Sequence, residues 1–295
     1  MIGILTDSTC DLPVYLISRY NISILPMTIR MNGKEYLDRI TLSGDLFYRL
    51  LIAGDRPETE PPSVDEFINR YAEMLLQYDH IISIHVGSAF SQTVQNAGAA
   101  VSRGRKRFFE TRLKAKLYKP FKISIIDSKT VSIGVGLLVV KAARLLQEQP
   151  DATDLVDTLE DCAARLRVIF SPKDLSYLHR SKRLTGIKYL IAHLAGLKPL
   201  IQVANGTMEK FAAVRGVEHA ADAIVKEINR DLRSSPEIHL AIAYAGMQAD
   251  IEKNILAHRI TDVLKGDPGY FESIIGPTIG THCGPDAVCA AFLGE

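Results

Sequence analysis

The chain has 295 residues, 47% of them hydrophobic and 23% charged, which suits one large or two ordinary globular domains and excludes a disordered chain. Lys and Arg number 35 against 34 Asp and Glu, so the net charge is +1 and the strong field of a dedicated nucleic-acid binder is missing. Four scattered cysteines do not make a disulfide framework, and no run of about 18 apolar residues offers a transmembrane span.

Met1-Ile-Gly-Ile-Leu5 runs directly into Thr6-Asp7-Ser8 without a basic n-region, which predicts a buried first strand rather than a signal sequence. With so few cysteines, this points to a reducing, cytoplasmic setting. A strand is expected over Ile22 to Ile29, followed by a turn at Asn32-Gly33, a hairpin signal. Ser63 to Tyr78 reads as a helix. Pro61-Pro62 blocks backward extension, Ser63 and Glu66 form a capping box, and Phe67, Tyr71, Met74 and Leu75 share one face.

Ile81 to Val86 and Ile123 to Ile126 repeat the grammar of the first strand: a short β-rich run, a hydroxyl-rich loop, then a helical pattern. The loops are Thr6-Asp-Ser-Thr9, Gly87-Ser-Ala-Phe-Ser-Gln-Thr93 and Asp127-Ser-Lys-Thr130. This repetition predicts β-α units on a parallel sheet. Gly134 and Gly136 fall inside an apolar helical pattern, where they predict close helix packing rather than a nucleotide cradle.

The polar stretch Gln147-Glu-Gln-Pro-Asp151 is the expected boundary between an α/β domain, residues 1–150, and an α+β domain, residues 151–295. Beyond it, amphipathic helices are expected over Asp154 to Leu166 and Val217 to Leu232. Strands are expected at Val168 to Ser171, Leu200 to Val203, Lys210 to Val214, Ile238 to Tyr244, Ser273 to Ile275 and Ala287 to Phe292. Asn205-Gly206 makes a hairpin of the run from Lys198 to Val214.

Ligands of parallel sheets collect outside the carboxyl ends of the strands. The three loops would present Thr6, Ser8, Thr9, Ser88, Ser91, Thr93, Ser128 and Thr130 there, with Thr59 close by. Helix N-termini at the same edge favour an anion, a carboxylate or a phosphate; the plainer alternative is that these hydroxyls cap the helices they precede. Phosphate is the weaker choice, because the chain has no G-x-x-x-x-G-K-[ST] motif and no G-x-G-x-x-G after a strand.

Near the C-terminus, Gly276-Pro-Thr-Ile-Gly-Thr-His-Cys-Gly-Pro285 sets His282 in a frame of glycines and prolines, suited to sharp turning or close approach. His282 can donate to an anion. Neither the spacing around His282-Cys283 nor a second Cys/His pair supports a metal. Serines, His282 and Asp7 or Asp127 keep a Ser/His-dependent hydrolase or acyltransferase of acyl esters as the alternative, although a G-x-S-x-G elbow is absent. Arg103 to Lys122 holds nine basic residues against Glu110, a solvated face or a membrane or partner contact. His179-Arg-Ser-Lys-Arg183, with Arg215, could surround an acidic partner or a phosphate donor.

Taken in chain order, several segments resemble the DegV family of bacterial fatty-acid-binding proteins. They are Thr6-Asp-Ser-Thr-Cys-Asp-Leu-Pro13, Thr59-Glu-Pro-Pro-Ser63, Gly87-Ser-Ala-Phe-Ser-Gln-Thr93 and Ile126-Asp-Ser-Lys-Thr-Val-Ser132, then Asp174-Leu-Ser-Tyr-Leu-His-Arg180, Lys198-Pro199 and Ile275 to Pro285. The resemblance implies two α/β domains with a long-chain fatty acid between them and no cofactor. It implies that Thr59, Ser91 and His282 hold the carboxylate, with Ser88 and Thr93 beside them. It also implies a carrier without chemistry of its own, which presents the acid to a separate kinase subunit for conversion to an acyl phosphate in phospholipid synthesis. Arg180 and Arg215 match arginines that would contact that partner. Apolar lining is expected from Phe90, from Ile133 to Leu138 and from the second domain. Glu60-Pro61 and Ser181-Lys182 stand where the family commonly has Ser-Gln and Gly-Gly.

Overall fold

The computed structural model describes residues 1–149, 154–180, 197–235, 238–249, 254–260 and 269–294. The first half runs β1 (Ile2–Asp7), a 3-10 turn at Ser8–Cys10, α1 (Val14–Arg19), β2 (Ser23–Leu25), β3 (Thr28–Met31) and β4 (Lys34–Leu37). It continues through α2 (Gly44–Ile52), β5 (Glu58–Glu60), α3 (Val64–Met74), β6 (His80–His85), α4 (Thr93–Lys114), β7 (Lys122–Asp127) and α5 (Ile133–Glu148). The second half holds α6 (Leu155–Arg165), β8 (Arg167–Ser171), α7 (Ser176–Arg180), β9 (Lys198–Ala204) and β10 (Thr207–Val214). After these come α8 (Gly216–Ser234), β11 (Ile238–Tyr244), α9 (Ile255–Arg259), β12 (Phe271–Ile274), α10 (Pro277–Cys283) and β13 (Val288–Gly294).

The expected parallel sheet is present, with strand order β2-β1-β6-β7 and every pairing parallel. Strand order reverses between β1 and β6, which places a crevice at the carboxyl ends of these two strands. A small antiparallel sheet, β4-β3-β5, lies beside it. The second half forms a six-stranded mixed sheet, β10-β9-β8-β13-β11-β12, in which β11 and β12 run parallel and the other pairings are antiparallel. The fold is therefore mixed α/β. The parallel and small sheets use strands up to Asp127 and the six-stranded sheet uses strands from Arg167 onward; residues 150 and 151, at the expected boundary, lie outside the described residues.

One expected strand is corrected. Ile22 to Ile29 is not continuous: β2 joins the parallel sheet and β3 the small one, with Pro26-Met27 between them. Pro26 has no amide to donate to a ladder, and the Met27 amide is taken by Ser8 Oγ at 3.0 Å instead. Both Asn-Gly hairpins form. Asn32 and Gly33 have φ of 52° and 71°, Asn205 and Gly206 of 46° and 76°, the two left-handed residues that a tight hairpin requires. Ser63 caps α3 reciprocally with Glu66, as its sequence predicts.

Helix α5 ties the halves together. Ile133 to Val140 are all buried, and one hydrophobic core runs from Ile4 and Ile84 through this helix to Val168 and Ala291. Its glycines permit that position: a Cβ on Gly136 would meet the Cys10 carbonyl at 2.4 Å, and one on Gly134 would meet Val168 at 2.6 Å. A helix buried on all sides shows no amphipathic stripe.

Candidate functional site

The site is built around α10. Burying a seven-residue helix requires partners for its free N-terminal amides. Asp11 Oδ1 accepts from the Gly276 amide at 2.7 Å, and Asp38 Oδ2 accepts from Thr278 Oγ1 at 2.5 Å. Each carboxylate also takes a serine hydroxyl, Ser132 to Asp11 at 2.6 Å and Ser8 to Asp38 at 2.9 Å. Burial pushes the Asp11 carboxyl up to about 7 and that of Asp38 to about 6, against the lowering effect of these bonds and of Arg39. Along the helix, Gly280 lets the rings of Phe47 and Tyr48 approach to positions where a Cβ would collide. The helix then ends at Gly284, whose φ of 73° is left-handed.

This framework carries His282 to the small sheet. His282 Nε2 lies 3.0 Å from Oγ1 of Thr59, which β5 holds opposite Ile29 of β3. The pair borders a cavity of about 80 Å³ whose polar contributors include Thr9, Thr59, Ser91 and His282. Apolar walls come from Phe90 and Val131 in the first half and from Val168, Phe170, Leu178 and Met208 in the second. A second, more polar cavity of about 390 Å³ shares Thr59 and His282 and adds Asp55, Arg56, Tyr177 and Arg180. The hydroxyl–imidazole pair thus stands at a neck, apolar on one side and charged on the other.

The sequence-predicted residues separate on this geometry. Thr59, Phe90, Ser91 and His282 meet at one cavity. Thr93 is fully buried behind them, its hydroxyl 2.7 Å from that of Ser91. Ser88 is tied to Asp127 by its amide at 3.1 Å and its hydroxyl at 2.5 Å, which directs it toward the neighbouring loop. Neither Gln92 nor Ser132, the N-cap residues of α4 and α5, makes a side-chain capping bond. Val131 and Ser132 line the cavity, whereas Ile133 to Leu138, expected there, are packed in the core between the sheets.

Arg180 is exposed, its guanidinium 4.4 Å above the Tyr177 ring, and it lines the charged cavity. Arg215 is exposed at the N-cap of α8 and lines neither cavity. Ser181, Lys182 and Arg183 lie outside the described residues.

A hydrogen-bonded chain that the sequence did not single out closes the switch point. Asp7 Oδ2 lies 3.0 Å from His85 Nδ1, and Ser83 Oγ lies 2.6 Å from His85 Nε2 and 2.9 Å from the Tyr71 hydroxyl. Burial raises the Asp7 pKa, but the bonds and charge of His85, with Thr9 and the Val86 amide, more than offset it and hold the carboxyl below its ordinary value. Ser83, His85 and Asp7 are spaced like a serine-nucleophile triad, yet all three are fully buried. The spacing of His85 two residues after Ser83 was the available signal, but its acid comes from a neighbouring strand. His282 meets a threonine, Thr59.

Burial pushes the Cys10 thiol up to about 12 and raises those of Cys283 and Cys289. All four cysteines are buried, and no disulfide joins them. Among the described residues, no cluster of three or more His, Cys, Asp and Glu is placed to hold a metal ion. Nor is any described helix long and apolar enough to cross a membrane.

Fold and site together define a mixed α/β protein with an interior apolar cavity headed by a polar neck. Its family follows from comparison with known proteins. A family profile described as an uncharacterised protein of the DegV family matches residues 1–295, and the chain belongs to that family. A DegV domain-containing protein of Caldanaerobacter subterraneus is 31% identical over 294 residues, covering 99% of this chain and 98% of its own length. Among solved structures, a fatty-acid-binding DegV family protein of Thermus thermophilus superimposes with a TM-score of 0.85 at 26% identity, covering 100% of this chain and 99% of its own. DegV of Bacillus subtilis, described as a fatty acid binding protein, gives 0.82 at 25% identity with the same coverage.

Proposed function

We propose that this chain binds a long-chain fatty acid, with the acyl tail in the apolar cavity and the carboxylate at Thr59, His282 and Ser91. The observation that carries this reading is the Thr59–His282 pair at 3.0 Å, set where apolar walls give way to a charged cavity. A carboxylate withdrawn from water needs donors, and hydroxyls with an imidazole supply them without a buried lysine. Thr93 supports Ser91 from behind, and Ser88 orders the loop through Asp127. Two structural relatives described as fatty-acid-binding proteins support the assignment.

The tail supplies affinity and the neck supplies orientation. Each buried methylene contributes about 0.8 kcal/mol, so about fifteen contribute on the order of 12 kcal/mol, reduced by association costs of several kcal/mol. The cavity walls include side chains that can adjust to such a tail. Met27 and Met208, unbranched and adaptable, are among them.

The protein acts as a cytoplasmic carrier, not as an enzyme. It presents the carboxylate through the charged cavity to a kinase subunit that forms an acyl phosphate, with Arg180 and Arg215 toward that partner. Denaturing extraction and mass spectrometry of protein purified from cells test the central claim. A stoichiometric long-chain fatty acid is expected; an empty protein that also ignores added palmitate and oleate overturns it.

A further inference from the structure

The charge of this protein is unevenly placed. Residues 103 to 122 contain nine of its 35 basic residues and one of its 34 acids. This segment therefore carries +8 in a chain whose total is +1, leaving −7 on the remainder. Arg112 is the exception among the nine. It is 3% exposed, paired with Asp79 at 2.9 Å, and donates to the Leu75 and Lys119 carbonyls, which pins the loop after α4 to the body. The other eight point to solvent. Glu110 offsets little, 3.9 Å from Lys106 on a face where the two side chains are 54% and 88% exposed.

Apolar side chains stand within this basic field. Phe109 is 55% exposed, Leu113 64% and Tyr118 75%. Lys106, Phe109 and Leu113 recur at helical spacing on the outward face of α4, opposite the buried Gly104, Phe108 and Arg112. Arg103, Arg105, Arg107 and Lys114 flank them. The Phe109 ring rests on Phe121, with centroids 5.0 Å apart, which holds it half in solvent beside Leu113, and a nucleic-acid groove gains nothing from an aliphatic leucine at its centre. A cationic rim around apolar side chains matches the lipid–water interface, where the rim meets anionic headgroups and the centre enters the acyl boundary.

We propose that the outward face of α4 and the loop to Tyr118 form a docking surface for a bilayer containing anionic lipid. This surface lies outside the cavity and does not depend on what the cavity binds. The chain has no tryptophan, so Leu113→Trp creates a sole reporter on this face and Ile52→Trp, at a position equally exposed on α2, a matched control.

The test uses vesicles of phosphatidylcholine alone or with about a third phosphatidylglycerol. The protein is expected to sediment with the anionic vesicles at low salt and to lose roughly tenfold or more of that affinity in about 0.5 M salt. Leu113→Trp fluorescence should shift to the blue and be quenched by bromine-labelled acyl chains, whereas that of Ile52→Trp should not. Reversing Arg103, Arg107 and Lys114 together to Glu should cost at least about tenfold in vesicle affinity with an unchanged melting curve, since all three are exposed. Equal binding to neutral vesicles overturns the proposal, as does binding that survives the charge reversal. So does adsorption that leaves Leu113→Trp unquenched, or that double-stranded DNA matches.

Discussion

Thr59 and His282, separated by 223 residues, meet at 3.0 Å because two buried aspartates fix the helix that carries the histidine. The contact has a definite consequence for ligand binding. A hydrogen bond to a charged group contributes about 1.5–3 kcal/mol, so Thr59→Val and His282→Ala should each weaken fatty-acid binding by roughly 10- to 100-fold. Thr59→Ser should recover most of the loss. Binding of the corresponding fatty alcohol, which carries no charge, should change far less. Titration calorimetry with palmitate and hexadecanol checks all three statements, and equal losses for acid and alcohol would remove the carboxylate from this site.

The aspartates themselves predict a pH dependence. Asp11 and Asp38 have folded-state values raised to about 7 and about 6 by burial. A raised acid contributes stability that is complete below its unfolded value and is lost as pH climbs through the folded one. For Asp11 a rise from 3.8 to about 7 corresponds to on the order of 4 kcal/mol. Asp7 runs the opposite way, since its depressed value gives stability above the unfolded value that is lost on acidification. The contribution of these groups to thermal stability should therefore peak near about pH 4, decline between about pH 4 and pH 7, and level off above it. Asp38→Asn keeps a carbonyl for the Ser8 and Thr278 hydroxyls and should flatten the part of that decline below about pH 6.

What the sequence revealed was mostly local. The Ser63–Glu66 box and both Asn-Gly turns depend on neighbouring residues and appear as expected. The break at Pro26-Met27 had a local signal in Pro26, and only the capture of the Met27 amide by Ser8, 19 residues earlier, lay beyond it. Asp7 finds His85 across two strands and 78 residues, a pairing no spacing rule contains. The cavity walls were misjudged at Ile133 to Leu138 because an all-apolar helix gives no direction to its faces, and α5 is buried between sheets. Resemblance supplied the residues of the neck, while geometry added that Ser88 is engaged by Asp127.

Close packing of α5 gives a paired test. A Cβ on Gly136 would lie 2.4 Å from a backbone carbonyl, which has no rotamer by which to yield. Gly136→Ala should destabilise by about 1–3 kcal/mol through overpacking. A Cβ on Gly98 of α4 would meet nothing within 4 Å, so Gly98→Ala should stabilise by about 0.5–1 kcal/mol. Urea titrations should move the two midpoints in opposite directions.

Tail length offers the last test. Ala287 is fully buried and lines the apolar cavity. Ala287→Leu would place about three more carbons in that space, and a tail that loses contact for about three methylenes binds about 2.4 kcal/mol more weakly. Palmitate affinity should fall roughly 50-fold, with laurate nearly unchanged because its shorter tail leaves room for the added carbons. An overpacked, unfolding variant would lose both ligands together and lower the melting temperature, so the ratio of the two affinities isolates the cavity. Equal affinity for palmitate in Ala287→Leu and the native protein would place the tail elsewhere, even if Thr59 and His282 still hold its carboxylate.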